Sequence, residues 1–364
     1  MRHSTDEHGN TALILGATGG FGAAACDAMV KAGWQVRAVS RSPKEQSGQT
    51  HVELNRPAIG ESENHAGGSA QNALQWFTGT LDNPETLARA ATGVDVIVHA
   101  VNVPYPKWDP VMVQYTQHII DLALEHNAHL FFVGNIYNAG IPSDGLIDHN
   151  TQHAPINNKG DVRETLERMI EGACSEGLRA TVMRFGDFFG PGVATNNWFN
   201  EFTKSLHKNR LTIPGPVDVQ HTWAFLPDAA LVAERVVRKR IHDNDAPAHM
   251  VLPFAGHVFS FADVKRELKS MTGHTLKTSS LPWPLFTALG LFIPLLRDVV
   301  KMRYLWQHDI RLNESALVSY LGTVPAKTPL RDAICRTIPA LQRNTEKTDT
   351  LPDNNTRPEK TLSY

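Results

Sequence analysis

Leu13-Ile14-Leu15-Gly16-Ala17-Thr18-Gly19-Gly20-Phe21-Gly22 is an apolar run that ends in glycines spaced G-x-x-G-x-x-G. Gly16 permits a tight turn at the end of a strand, Gly19 lets the backbone approach a pyrophosphate, and Gly22 allows a helix to pack closely on that strand. The first turn of the helix then offers free N–H groups and a partial positive charge to phosphates. The run therefore predicts a dinucleotide-binding turn, with contacts from Gly16, Thr18, Gly19, Gly20, Phe21 and Gly22.

The glycine run lies within an alternation of strands and helices that fills the first half of the chain. Several strand candidates are continuous apolar runs, as expected of parallel strands that are buried on both faces. The predicted strands are Thr11–Leu15, Gln35–Val39, Leu74–Thr78, Val94–Ala100, His129–Val133 and Ala180–Arg184, and the helices include about Phe21–Ala32, Val111–Glu125 and Val162–Glu176. This order predicts an α/β fold with a Rossmann-like, doubly wound parallel sheet.

The alternation becomes irregular after Gly190, which predicts a smaller mixed C-terminal substrate lobe. Its expected elements are helices at Trp198–Leu206, Phe261–Met271 and Pro282–Met302 and a strand at Met250–Leu252. Ser, Gly, Asn and Gln dominate residues 42–72, which indicates a mobile loop. The predicted division is a flexible N-terminus at 1–10, a dinucleotide-binding domain at 11–190 with a returning helix at about 227–240, lobe segments at 191–226 and 241–340, and a disordered tail at 344–364.

The composition excludes several functional classes. A formal net charge of −2 argues against a nucleic-acid partner bound by bulk charge. The three cysteines form neither a C-x-x-C site nor a disulfide framework, so a reducing, cytoplasmic location is expected. Met1–Asn10 lacks the apolar segment of a secretory signal. The 17 histidines show no metal-ligand spacing, and we predict no metal site.

One apolar stretch, Leu281–Leu296, raises the question of a membrane segment. It is shorter than the ~20 residues that a bilayer span needs, and three prolines interrupt it. We predict no membrane span, and we favour a buried or pocket-lining helix over a membrane-surface patch. If this helix caps the cleft, Trp283, Phe286 and Phe292 form an apolar wall that suits a hydrophobic substrate.

Four further stretches occur in a recognisable order after the glycine run. They are Gly79-Thr80-Leu81 with Asn83–Leu87, Val94–Ala100, Arg184-Phe185-Gly186-Asp187-Phe188-Phe189-Gly190-Pro191-Gly192, and Phe225-Leu226-Pro227-Asp228. Together these stretches resemble the extended and atypical short-chain dehydrogenase/reductases of the NAD-dependent epimerase/dehydratase family, over roughly residues 11–335. The resemblance implies further cofactor contacts at Thr80, Leu81, Ala100, Val101 and Asn102. It also implies a homodimer through the helices at Val111–Glu125 and Val162–Glu176.

The end of the second strand decides the expected form of the cofactor. Enzymes that prefer NAD usually carry an acid there, which accepts hydrogen bonds from the ribose hydroxyls. This chain instead reads Val39-Ser40-Arg41-Ser42. Arg41 can pair with a 2′-phosphate and Ser40 can donate a second hydrogen bond. We therefore favour NADP(H) over NAD(H), and the alternative is that Arg41 is a solvated loop charge.

The chain departs from the family at the catalytic tyrosine. The family places a Tyr and a Lys four residues apart on one helix face, and no Tyr here has a Lys four residues later. If Lys159 is the family lysine, Pro155 occupies the tyrosine position. If Glu167 is aligned with the glutamate that often follows that lysine, Arg163 takes the lysine position and Lys159 the tyrosine position. We favour the second register because it places both cations on one helix face.

The serine of the family is missing as well, and Asn135 lies near its position. An amide can bind a carbonyl oxygen but is a poor proton donor. Tyr137 is the nearest phenol in the sequence. In the predicted mechanism Asn135 orients the substrate oxygen, Lys159 or Tyr137 supplies the proton, and Arg163 binds the ribose or a cofactor phosphate. The competing interpretation makes Lys159 and Arg163 ordinary surface cations and Tyr137 a packing residue.

The expected substrate contacts are Tyr105, which follows the fourth strand, Phe188, and His221. The sequence thus predicts an NAD(P)-dependent oxidoreductase that acts on a small organic carbonyl, alcohol or sugar-derived substrate. One alternative is a non-catalytic NADP(H)-binding redox sensor or interaction protein, which the missing Tyr and Ser would fit. The other is an NAD-dependent epimerase or dehydratase.

Overall fold

A computed structural model of the chain describes residues 9–41, 51–52, 73–192, 197–338 and 341. The strands are β1 (Thr11–Leu15), β2 (Gln35–Ser40), β3 (His51–Val52), β4 (Leu74–Thr78), β5 (Val96–His99), β6 (His129–Gly134), β7 (Leu146–Ile147), β8 (Ala180–Arg184), β9 (Asp187–Phe189), β10 (Arg210–Ile213), β11 (His221–Phe225), β12 (His249–Pro253), β13 (His257–Phe259), β14 (Lys277–Ser280) and β15 (Arg311–Leu312). The helices are α1 (Gly20–Lys31), α2 (Pro84–Ala91), α3 (Trp108–Glu125), α4 (Asn158–Cys174), α5 (Trp198–Thr203), α6 (Leu226–His242), α7 (Phe261–Thr272), α8 (Trp283–Leu289), α9 (Pro294–Lys301), α10 (Ser315–Leu321) and α11 (Leu330–Thr337).

The core of the molecule is an eight-stranded parallel sheet in the order β12-β8-β6-β5-β1-β2-β4-β3. Strands β5 and β6 are apolar and fully buried along nearly their whole length, because helices cover both faces of the sheet. The strand order reverses beside β1, which pairs with β2 on one side and with β5 on the other. Ligands of such sheets bind at the carboxyl ends of the strands at this reversal. The predicted α/β, Rossmann-like fold is confirmed.

The smaller lobe contains three short sheets. Its three-stranded sheet has the order β13-β11-β9, and two-stranded sheets pair β10 with β14 and β15 with β7. One segment departs from the predicted division of the chain. Strand β12, which we placed in the lobe segment 241–340, pairs with β8 along its full length and forms an edge of the main sheet. Sequence order alone did not show this, since β12 returns to the sheet only after the α6 crossover.

The apolar segment 281–296 also differs from its prediction. It forms two short helices, α8 and α9, where one helix was expected. Trp283 is buried, but Phe292 is 84% exposed and Leu291 is 78% exposed. The expectation of a buried apolar wall that includes Phe292 is therefore wrong, because only the base of this helix pair packs on the core. Most of the predicted flexible N-terminus at 1–10, most of the mobile loop at 42–72 and the whole predicted tail lie outside the described residues.

Candidate active site

The glycine turn joins β1 to α1 at the point where the sheet order reverses. Gly16 has a positive φ of 89°, and a side chain there would place its Cβ 2.6 Å from the carbonyl oxygen of Ala100, which follows β5. A Cβ on Gly22 would lie 2.2 Å from the carbonyl oxygen of Gly16. Only glycine fits at these two positions, since each faces backbone that cannot move aside.

The start of α1 is available to an anion. Its N-cap is Gly19, no side chain caps the helix, and no acidic residue lies in the first turn. The first N–H groups and the helix dipole therefore face the strand ends without a side-chain acceptor. Thr18 and Gly19 are exposed in the turn, while Phe21 is buried. The residues of this turn fit the pyrophosphate of a dinucleotide.

The other predicted cofactor residues stand along the same sheet edge. Ser40 ends β2 and Arg41 follows it with an exposed side chain. Neighbouring Arg37 is engaged elsewhere, because it donates to the carbonyl oxygens of Ala90 and Thr92. Thr80 and Leu81 follow β4, and Ala100, Val101 and Asn102 follow β5. The structure thus brings the carboxyl ends of β1, β2, β4 and β5 together around the glycine turn.

Helix α4 directs two cations inward from one face. Asn157 caps the helix, and its Oδ1 accepts from the N–H groups of Lys159 and Gly160. Lys159 is 2% exposed and Arg163, one turn later, is 7% exposed. Pro155 lies before the helix begins. Lys159 and Arg163 therefore share one helix face, and the register that places Lys159 at the tyrosine position and Arg163 at the lysine position stays a prediction. The interpretation of both as surface cations is wrong.

Lys159 is held from three sides. Its Nζ donates to the carbonyl oxygen of Tyr105 at 2.6 Å and lies 3.2 Å from Oδ2 of Asp298 in α9. The same Nζ stands 5.9 Å from the ring centre of Trp108. Asp298 is itself 4% exposed, so the ion pair is shielded from water. Asp298 was not among the predicted site residues, although it is the one acid in the otherwise apolar and basic segment 281–303.

Arg163 lies deeper along the helix, against the end of β6. Its Nη1 donates to the carbonyl oxygen of Val133 at 3.3 Å, and its guanidinium stands 4.7 Å from the ring centre of Trp108. Burial lowers the pKa of Arg163 below its ordinary value. Its Nε is buried and has no hydrogen-bond acceptor among the described residues. A buried donor without a partner is costly, and the guanidinium of Arg163 keeps the capacity to donate a further hydrogen bond.

Two phenols meet beside the cations. The hydroxyls of Tyr105 and Tyr137 lie 3.1 Å apart. Burial raises the pKa of Tyr105 to about 12. Burial, reinforced by Tyr105 and the carboxylate of Asp187, raises the pKa of Tyr137 well above its ordinary value. Asn135 precedes Tyr137 by two residues, and its Oδ1 accepts from the backbone N–H of Tyr137. Both phenols therefore remain protonated at neutral pH and are weak acids.

A carboxylate from the lobe faces this phenol pair. Asp187 of β9 accepts from Nε2 of His221 in β11 at 2.8 Å, because the two strands run parallel and adjacent. Its charge also raises the pKa of Tyr304, after burial as the main cause. The Nδ1 of His221 and the hydroxyl of Tyr304 are buried without partners among the described residues. The sequence analysis named His221 but missed Asp187.

Phe188 occupies a different position from Tyr105 and His221. Successive side chains of a strand point to opposite faces, so Phe188 faces away from Asp187. Its ring lies 5.5 Å from that of Phe21 and 5.4 Å from that of Phe185. The structure therefore places Phe188 beside the glycine turn. No cluster of three metal-ligating side chains occurs within the described ranges.

The family model described as "NAD dependent epimerase/dehydratase family" matches residues 12–248, which is more than half of the chain. The chain belongs to this family. The description of this family names NAD as the cofactor, and its members are epimerases and dehydratases, so the protein is a member of an enzyme family. No curated protein sequence matches the chain significantly.

Solved structures with the same fold include epimerases and a dehydratase. MoeE5, solved with UDP-glucose and NAD, is 17% identical with a TM-score of 0.67, covering 93% of this chain and 100% of MoeE5. UDP-glucuronic acid 4-epimerase from Bacillus cereus is 14% identical with a TM-score of 0.67, covering 92% of this chain and 99% of the epimerase. dTDP-glucose 4,6-dehydratase from Bacillus anthracis is 14% identical with a TM-score of 0.66, covering 93% and 98%. These likenesses establish the fold of this family member. Among the described helices, none combines the length and the apolar character that a membrane span requires.

Proposed function

We propose that this family member is an NADP(H)-dependent oxidoreductase that interconverts a small organic carbonyl compound and its alcohol. The proposal depends above all on one observation, which is the burial of the Lys159 side chain at the start of α4. Lys159 is held inside the fold and shares one face of α4 with the buried Arg163, so both charges are shielded from water. Its position at the sheet edge supports a role in moving a proton to or from the substrate oxygen.

The proposed mechanism divides the work among three residues. The bound nicotinamide would supply or accept the hydride at the substrate carbon. Asn135 would donate its amide N–H to the substrate oxygen and orient it. Lys159 would give that oxygen one proton during reduction and take it back during oxidation. Arg163 would hold the ribose or a phosphate through its guanidinium. Tyr137 is less suited to the proton transfer, because its raised pKa makes it a weak acid.

The preference for a 2′-phosphate follows from the end of β2. Arg41 is exposed there and β2 ends without an acid, which supports recognition of NADP(H). The solved structures above carry NAD in their descriptions, so the phosphate contact is the point that requires a test.

The Arg41→Ala variant is expected to bind NADPH about 10- to 100-fold more weakly, since a charge-assisted contact to phosphate is worth roughly 1.5–3 kcal/mol. Its affinity for NADH is expected to stay unchanged. Calorimetric titration of the four nicotinamide dinucleotides measures both. Arg89→Ala removes another exposed arginine, on α2, and serves as the control. Equal binding of NADH and NADPH by the natural chain would contradict the proposal.

The reaction itself is tested by following NADPH absorbance with a panel of aldehydes and ketones. Turnover with any member supports the oxidoreductase. A chain that binds one redox form tightly and consumes neither would instead be a sensor. A chain that purifies with its cofactor and changes a sugar nucleotide without net oxidation would be an epimerase. These three outcomes separate the proposed function from both alternatives.

A further inference from the structure

The helix pair α8–α9 carries a concentrated apolar surface. Six of the twelve exposed large apolar side chains among the described residues fall within residues 285–295, and we call this group the apolar tip: Leu285, Leu289, Leu291, Phe292, Ile293 and Leu295. Single exposed apolar residues are normal, whereas a contiguous group indicates an interaction site. The concentration of half of these side chains in one short segment therefore indicates an interaction site.

The apolar tip is firmly anchored at its base. Trp283 is buried and its Nε1 donates to the carbonyl oxygen of Pro214 at 2.6 Å. Asp298 of α9 is buried against Lys159. Between the two helices Gly290 packs so closely on α9 that an added Cβ would lie 3.0 Å from the backbone nitrogen of Arg297. The exposed side chains therefore project from a fixed support.

The exposed charges that follow the apolar tip along the chain have one sign. Residues 281–296 contain no charged side chain, and the cations Arg297, Lys301 and Arg303 follow directly. The guanidinium of Arg303 stands 5.3 Å from the ring centre of Trp283, at the base of α8. Asp298, the one acid of segment 281–303, is buried and paired with Lys159 and Lys301. An apolar protrusion with cations at its base matches an anionic lipid surface, where acyl chains lie beneath negative headgroups.

We propose that the apolar tip docks this protein on the surface of an anionic membrane. Leu291 and Phe292 enter the boundary between headgroups and acyl chains, and Arg297 and Arg303 meet the lipid phosphates. The docking is peripheral, since neither helix is long enough to span the bilayer. The proposal is independent of the reaction proposed above.

Flotation of the full chain with lipid vesicles tests the proposal. The protein is expected to float with vesicles of phosphatidylcholine and phosphatidylglycerol, and to bind pure phosphatidylcholine about tenfold more weakly. The double variant Leu291→Ser/Phe292→Ser is expected to lose binding to both by at least about tenfold. The double variant Arg297→Gln/Arg303→Gln is expected to lose the preference for the anionic lipid. Leu231→Ser/Val258→Ser removes two exposed apolar side chains elsewhere and is expected to bind like the natural chain.

Three results would overturn the proposal. One is the absence of flotation with either vesicle, and another is equal flotation by the Leu291→Ser/Phe292→Ser variant. The third is a combination of two findings: the natural chain does not bind vesicles, and light scattering shows that it is a dimer whereas the Leu291→Ser/Phe292→Ser variant is a monomer. In that case the apolar tip is a contact between two copies of the chain. Circular dichroism of each variant confirms that the fold is retained.

Discussion

Replacement of Lys159 by methionine is expected to lower kcat for carbonyl reduction by about 10²- to 10⁴-fold, the usual contribution of a positioned proton donor. The Kd for NADPH is expected to change little, because the glycine turn follows β1 and Arg41 follows β2, whereas Lys159 lies on α4. Steady-state kinetics on a substrate found in the panel, together with calorimetric titration of NADPH, separates the two effects. A loss in kcat without a loss in binding is the signature of a group that acts on the reacting oxygen.

The variant needs a control for folding, since it leaves the buried Asp298 without its closest cation. Loss of one partner of a buried ion pair typically costs roughly 3–5 kcal/mol. The double variant Lys159→Met/Asp298→Asn removes the uncompensated charge and is expected to recover stability while kcat stays low. Arg168→Met on the same helix removes an exposed cation and is expected to keep full activity. Normal turnover by the double variant would exclude Lys159 from the proton transfer.

The sequence predicted the parts of the site that depend on local patterns. The bounds of β1, β4 and β8 agree with the predicted ranges, because each is a short, largely apolar run beside turn residues. The i,i+4 spacing of Lys159 and Arg163 placed both on one helix face, and the structure buries both. The glycine turn could be predicted for the same reason, since its spacing reflects contacts within a single strand–turn–helix unit.

The residues that the sequence analysis missed are held by contacts between distant segments. Asp298 meets Lys159 only because α9 packs over the turn at Tyr105–Lys107. Asp187 meets His221 only because β9 and β11 are neighbours in the lobe sheet. The sequence did contain two weaker signals for these residues. Asp298 is a lone acid in an apolar segment. Asp187 precedes Phe188, the predicted substrate contact, and strand alternation places these two side chains on opposite faces.

Glu167 is a further residue whose contacts could not be predicted from the sequence. In the sequence it served only to align the helix with the family motif, yet it forms a buried ion pair. Its carboxylate accepts from Arg184 at 2.7 Å and 3.4 Å, and His153 Nε2 lies 3.3 Å away. Both Glu167 and Arg184 are 3% exposed or less. The pair links α4 to β8 one helical turn after Arg163, so it fixes the position of the helix that carries both cations of the site.

The Glu167→Gln variant is expected to lower the free energy of unfolding by about 3–5 kcal/mol, because it leaves Arg184 buried without its charge partner. This is a large share of the roughly 5–15 kcal/mol that stabilises a typical domain. Urea unfolding followed by circular dichroism measures the change. Glu171→Gln, an exposed position on the same helix, is expected to change stability by less than about 0.5 kcal/mol. Replacement of both partners by Glu167→Leu/Arg184→Met is expected to recover most of the loss.

The same pair predicts a dependence of stability on pH. Burial alone would raise the pKa of Glu167, but the contacts with His153 and Arg184 outweigh it and hold the pKa below the ordinary value of 4.5. The unfolded chain therefore takes up this proton first as the pH falls. The stabilising contribution is complete above pH 4.5 and is lost as the pH falls through the lower pKa of the folded state. The Glu167→Gln variant lacks this contribution, so its stability is expected to decline less than that of the natural chain below pH 4.5. Parallel declines in the two proteins would show that the buried pair does not govern the acid response.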